Sequence, residues 1–297
     1  MTGPALPSDR ALVLDGGLSN QLADQGCDLS DVLWSARLLA DAPAQIEAAH
    51  TAYVRAGARV LITASYQATY EGFAHRGVGR KEATALIQSS VTLARRAAAG
   101  QPGVRVAASV GPYGAMLADG SEYRGRYGRT VRELERFHRP RIEALAAAGP
   151  DFLALETVPD TDEAEAMLRA VEATGAGVPV WLSYTVEGGR TRAGQPLPEA
   201  FALAADSPDV VAVGVNCCAP AEADHAVEVA AEITGKPVVV YPNSGETWDA
   251  GARRWHGGAA FDPDRVTAWQ AAGARLIGGC CRVGPRDIAR IAAALAE

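Results

Sequence analysis

Cys217, Cys280 and Cys281 carry the clearest chemical potential in the chain. Thiolates are soft donors that suit zinc, and three of them leave the fourth position of a tetrahedral ion open to water or substrate. A lone cysteine and a distant adjacent pair match no standard zinc-finger spacing, and small, inert, buried cysteines are common. Spacing alone leaves both uses open. A disulfide framework is the poorer account, because the chain has five cysteines, an odd number, and residues 1–10 lack the apolar stretch of an export signal. Cys280 and Cys281 are neighbours, with Cα atoms about 3.8 Å apart, and make a poor disulfide with each other. Cys27 and Cys218 read as ordinary packing residues. His50, His75, His138, His225 and His256 share no ligand spacing such as HExxH and are left out of the metal site.

The elements that must position these thiols follow from the apolar pattern. Short β-branched runs alternate with Ala-rich amphipathic stretches that end in glycine, the pattern of repeated βα units. Eight strands are expected, at 11–15, 59–64, 104–110, 151–155, 178–183, 209–215, 237–241 and 274–277. Eight such units imply a closed (β/α)8 barrel, a TIM barrel, in a single domain over 11–297 behind an N-terminal extension, 1–10. Helix 43–56 starts with Pro43, presents Ile46, Ala49, Tyr53 and Val54 on one face and stops at Gly57. Thr130 and Glu133 form a capping box, and Pro140 is expected to kink or divide the helix that follows. Residues 184–198 read as a long loop. Loops that follow strands build the mouth of such a barrel, so Cys217 after the sixth strand and Cys280–Cys281 after the eighth converge there. Asp15, ending the first strand, and Glu156, ending the fourth, face the same mouth.

Composition narrows the function. The 297 residues carry a formal charge of -7, with 48% apolar and 21% charged residues. That balance suits a globular enzyme and a cationic small substrate, and it argues against nucleic-acid binding, which needs clustered Lys and Arg. No apolar run approaches the roughly 20 residues of a membrane span, so the expected location is the cytoplasm.

The segments LDGGLSNQL (14–22), ASYQAT (64–69), GPYGA (111–115), LETVPD (155–160), GVNC (214–217), YPNSGE (241–246) and GGCCR (278–282) together resemble the homocysteine S-methyltransferase family. The resemblance runs from the first strand to the last, and YPNSGE is similar to the branch that uses S-methylmethionine. It implies a Zn2+ held by Cys217, Cys280 and Cys281, and methyl transfer from S-methylmethionine or S-adenosylmethionine to the homocysteine thiol, forming methionine. It also implies that Asp15 and Glu156 bind the homocysteine ammonium, a role carboxylates suit; a turn residue and a helix-start carboxylate are their plainer uses.

Further candidates for substrate contact are Gly16 and Gly17, through their backbone amides, Tyr66 and Trp248, through aromatic faces toward a cation, and Asn216 beside Cys217. Asn243, Ser244 and Glu246 are candidates for recognising the donor, with a helix N-cap as the plainer use of Asn243 or Ser244. Betaine as donor or selenocysteine as acceptor fits the same motifs. Two rivals remain outside that family: a barrel that binds phosphate at Gly278–Gly279, which leaves the paired cysteines unexplained, and a non-catalytic zinc or thiol-sensing barrel. A monomer is expected.

Overall fold

The computed structural model describes residues 6–7, 10–30, 33–249, 254–257 and 262–296. Eight parallel strands run β1 (Leu12–Val13), β2 (Val60–Ile62), β3 (Arg105–Val110), β4 (Phe152–Val158), β5 (Val180–Tyr184), β6 (Val210–Asn216), β7 (Val238–Tyr241) and β8 (Ala274–Ile277). They pair in the order β1-β8-β7-β6-β5-β4-β3-β2. The Leu14–Val60 bridge, with Arg59 N–H donating to Val13 O at 2.7 Å, joins β1 to β2 and closes the (β/α)8 barrel.

Side chains alternate in and out along a strand, and here both sides are buried, one inside the barrel and one beneath the helices. The inner cluster contains Leu12, Leu14, Val60, Ala107, Phe152, Ala154, Trp181, Ala212, Val239, Tyr241 and Leu276. Continuing the same phase by two residues reaches Ser109 on β3, Glu156 on β4 and Ser183 on β5, and by four residues Asn216 on β6, all buried. A polar layer therefore caps the apolar one at the C-terminal ends of the strands.

Helix Pro43–Arg55 buries Ile46, Ala49, Tyr53 and Val54 as expected, and His50 with them. The capping box at Thr130 and Glu133 is present, but Pro140 does not divide its helix, which runs unbroken over Val131–Ala147. The absent amide hydrogen bond is outweighed by the packing of Phe137, His138, Arg141 and Ile142 on both sides of it. The segment 184–198 is likewise more ordered than a loop: Val186–Glu187 pairs with Arg190–Thr191, and helix Leu197–Ala205 follows. A second hairpin, Thr247–Asp249 with Arg254–His256, follows β7.

Of the N-terminal extension, Leu6 packs against the inner cluster; residues 1–5 and 8–9 lie outside the described residues. No described helix is long and apolar enough to cross a membrane.

Candidate metal and substrate site

The Sγ atoms of Cys217, Cys280 and Cys281 lie within 4.8 Å of one another, brought together from the ends of β6 and β8. Cys217 and Cys280, with Cα atoms 5.6 Å apart, are joined as a disulfide, while Cys27, Cys218 and Cys281 are free. Free thiols are the finding for those three; for Cys217 and Cys280 the structure brings the two sulfurs together, an approach that serves a bridge or a shared metal ion. The trio also fits a metal. Tetrahedral zinc with bonds of about 2.3 Å spaces its sulfur ligands about 3.8 Å apart, a modest adjustment once the bond is reduced. Bonding and ligation are alternative uses of the same sulfurs. Burial, reinforced by the charge of Glu122, pushes the Cys281 thiol up to about 11, a protonated state that a nearby cation reverses. Cys218 packs in the core outside the trio.

Neighbouring loops hold the cysteines by their backbone. Asn243 N–H donates to Cys218 O at 2.9 Å, and its Oδ1 accepts from Cys281 N–H at 3.1 Å, so one residue links both cysteine loops. Ser244 N–H donates to Cys281 O at 3.0 Å, and its hydroxyl to Glu246 Oε2 at 2.9 Å. Glu246 in turn accepts from Arg282 Nε at 3.1 Å. No helix begins at Asn243 or Ser244; the next element is the hairpin strand Thr247–Asp249. On the other flank, Gly17 N–H donates to Val283 O at 2.9 Å. A Cβ on Gly16 would come within 2.2 Å of Val283 O, and one on Gly17 within 2.6 Å of Cys280 O. Glycine is required at both positions by the approach of the cysteine loop itself.

The two carboxylates sit in the polar layer. Asp15 Oδ2 accepts from Ile62 N–H at 2.9 Å, whereas Oδ1 is buried without a partner. Burial above all, and the like charge of Glu156, hold the Asp15 carboxyl well above its usual range. His50 Nδ1 stands 4.0 Å from Asp15 Oδ2, and burial lowers its pKa to about 4, so it is neutral. Glu156 accepts from the Ser109 hydroxyl and, at 3.0 Å, from Tyr241 OH. Burial raises it to about 7 in spite of those two hydrogen bonds.

Asn216 Oδ1 accepts from Thr157 N–H (2.7 Å) and the Ser183 hydroxyl (2.8 Å), and its Nδ2 donates to Thr157 Oγ1 (2.7 Å). Thr157 has φ 58 and Cys217 has φ 50, a strained left-handed conformation for side chains with a Cβ. Asn216 pins the first of these strained residues and directly precedes the second.

Tyr66 is half-buried and packs on Gly111 of the loop after β3. Trp248 lies in the second hairpin, paired with Trp255. Sequence reasoning missed Ser109, Thr157, Ser183 and Tyr241, which hold Glu156 and Asn216. For Ser109, Ser183 and Tyr241 the signal lay in strand phase, two residues beyond an inward apolar side chain; Thr157 is out of that phase and bonds Asn216 from the position after Glu156. It also missed a brace behind the mouth: Arg141 donates to Gly111 O and to His138 Nδ1 (2.7 Å), and His138 Nε2–H to Glu163 (2.9 Å), which accepts from Tyr113 N–H (2.5 Å). Burial and the Arg141 charge keep His138 neutral.

Comparison with known proteins meets the same motifs. The homocysteine S-methyltransferase family model matches residues 12–295. A homocysteine S-methyltransferase of Escherichia coli is 47% identical, over 95% of this chain and 94% of its own. Homocysteine S-methyltransferase 4 of Zea mays is 46% identical, over 96% and 89%. Among solved structures, the metallated form of the homocysteine methyltransferase MmuM from Escherichia coli superposes with a TM-score of 0.86 at 45% identity, each chain covered to 96%. Its oxidized form gives 0.85 at 45% identity, each covered to 95%. With the cysteine trio and both carboxylates gathered at one barrel mouth, and a match that spans every strand, the chain belongs to the homocysteine S-methyltransferase family.

Proposed function

We propose that this enzyme transfers a methyl group from S-methylmethionine to the thiol of homocysteine, with Zn2+ held by Cys217, Cys280 and Cys281. The observation that carries the proposal is the gathering of three Sγ atoms within 4.8 Å at the mouth that also holds a buried, unpartnered Asp15 Oδ1. The thiol gives up its proton, its sulfur forms a bond to the methyl carbon, and the carbon–sulfonium bond breaks to release a neutral thioether. With S-methylmethionine both products are methionine. When bound, zinc supplies a Lewis acid that keeps the thiol ionised at neutral pH.

The protein's own residues bind and align. Asp15 Oδ1 is free to accept from the homocysteine ammonium, and Glu156 supplies the second acceptor, charge-assisted once ionised. Asn216 fixes the turn after Glu156, and Gly16, Gly17, Asn243, Ser244 and Glu246 hold the cysteine loops at the spacing the metal needs. Tyr66 lines the route by which the donor arrives. In-line alignment of the two sulfurs and the methyl carbon is then the main rate contribution of the fold. S-methylmethionine is placed ahead of S-adenosylmethionine on YPNSGE (241–246). A purely metal-sensing barrel gives no role to Asp15 and Glu156 in the same mouth.

The test is a panel of donors (S-methylmethionine, S-adenosylmethionine, betaine) against acceptors (homocysteine, selenocysteine), with zinc quantified under reducing conditions. One zinc per chain, with methionine formed from S-methylmethionine and homocysteine, is expected. Full activity in a zinc-free triple cysteine-to-alanine variant refutes it.

A further inference from the structure

The loop after β3 brings a third carboxylate to the mouth that the roles above leave unused. Glu122 sits in the one-turn 3-10 helix Ser121–Tyr123, which packs against β4. A Cβ on Gly114 would come within 2.5 Å of the Glu122 amide nitrogen. Left-handed residues on either side, Ala118 (φ 53), Gly120 (φ 84) and Arg126 (φ 50), turn this short segment inward. Glu122 Oε2 is shielded from solvent and has no hydrogen-bond partner. Burial lifts its carboxyl above the usual range, and the neighbouring charge that adds to the shift is the like charge of Asp119. The segment after β3 lies at the C-terminal ends of the strands, the end that also carries Glu156 on β4 and the cysteine loops, so Glu122 belongs to the same mouth. The nearby cation Arg192 is committed elsewhere, lying over the Tyr123 ring at 5.5 Å and pairing with Glu187 at 2.9 Å.

A shielded carboxylate oxygen without a partner is costly until a cation meets it. An amino-acid sulfonium donor brings two cations, and they are not equivalent. The sulfonium loses its charge as the methyl leaves, so a carboxylate against it stabilises the ground state more than the transition state and slows transfer. The ammonium keeps its charge throughout and can be gripped without that penalty. We propose that Glu122 binds the α-ammonium of the methyl donor, selecting amino-acid sulfoniums by their non-reacting end. This inference rests on the methyl-donor function proposed above.

Steady-state kinetics of Glu122→Gln on zinc-loaded enzyme test it, with homocysteine and S-methylmethionine varied separately. The loss of one charge-assisted hydrogen bond predicts a rise of about ten- to hundred-fold in the KM for S-methylmethionine. The kcat, the homocysteine KM, the zinc content and the unfolding midpoint should stay near wild type. Trimethylsulfonium, which has no ammonium, should bind both proteins alike as donor or competitive inhibitor, and Glu122→Asp should recover part of the S-methylmethionine affinity. A rise in the homocysteine KM instead, an equal loss of trimethylsulfonium binding, or an unchanged KM for S-methylmethionine overturns the assignment. Wild-type turnover separates the two levels: its absence with S-methylmethionine sinks the donor proposal and this one together, whereas turnover without a Glu122 effect sinks this one alone.

Discussion

Replacing Tyr241 by Phe removes a single oxygen and should move the pH at which homocysteine binds. Tyr241 OH donates to Glu156 Oε2 at 3.0 Å, and the Glu156 carboxyl lies at about 7, so near neutral pH about half of it is ionised. A hydrogen bond to a charged group is worth about 1.5–3 kcal/mol, and one pH unit corresponds to about 1.4 kcal/mol. Without the phenol, Glu156 should titrate about one to two units higher. The ionised fraction at pH 7 then falls to roughly a tenth or a hundredth, and homocysteine affinity drops by a factor of about 5–50.

The sign is fixed by which form binds. The ammonium needs the carboxylate, so affinity is lost as pH falls through the Glu156 pKa, and the variant loses it at higher pH than the wild type. The assay is the homocysteine KM from about pH 6 to 9 at saturating donor, taken as the ratio of variant to wild type so that titrations common to both cancel. The ratio should shrink towards one as pH rises. A ratio that is flat with pH, or a variant whose acid limb lies lower, refutes the assigned role of Glu156. Trp181 Nε1, which donates to Tyr241 OH at 3.1 Å, loses its partner too, so a stability cost of about 1–3 kcal/mol is expected. A urea midpoint measured alongside keeps that cost apart from binding.

Asn216→Ala strands the buried partners of three hydrogen bonds and should destabilise by about 2–4 kcal/mol in denaturant titration. Adding Thr157→Gly, which suits φ 58, should return about 1 kcal/mol of it. Gly17→Ala sets a methyl within 2.6 Å of Cys280 O; a loss of about 1–3 kcal/mol is expected, together with weaker zinc retention against a chelator. Cys281→Ala should abolish metal retention yet leave the Cys217–Cys280 disulfide able to form in oxidant. Thiol titration and zinc analysis on one sample check both halves.

Much of the barrel was legible because its strands are apolar, β-branched and separated by amphipathic helices, and strand order then set where Cys217, Cys280, Asp15 and Glu156 had to lie. Their supports were harder to see. Ser109, Ser183 and Tyr241 are unremarkable until the inward phase of each strand is known, and that phase depends on register between distant segments. β4 and β6 also run longer than their apolar cores, reaching Val158 and Asn216, because polar side chains there are satisfied by one another. Pro140 misled because one lost hydrogen bond is small beside the packing of the helix around it. Glu122 was missed for another reason: its burial is made by backbone turns at 118–126 that no side-chain pattern announces.

The pairing of β1 with β8 has a consequence for how the enzyme is made. Gly17 N–H reaches Val283 O, and Asn20 Oδ1 takes the Arg282 N–H at 2.7 Å, so the first and last units of the barrel form one seam with the cysteine pair inside it. A ribosome delivers Asp15, Glu156 and Cys217 well before Cys280 and Cys281 emerge. With the proposed ligand set, metal capture would be a late event that waits for ring closure, and its binding free energy would act as a latch on that seam. Zinc uptake during refolding should report closure of the barrel rather than collapse of the chain.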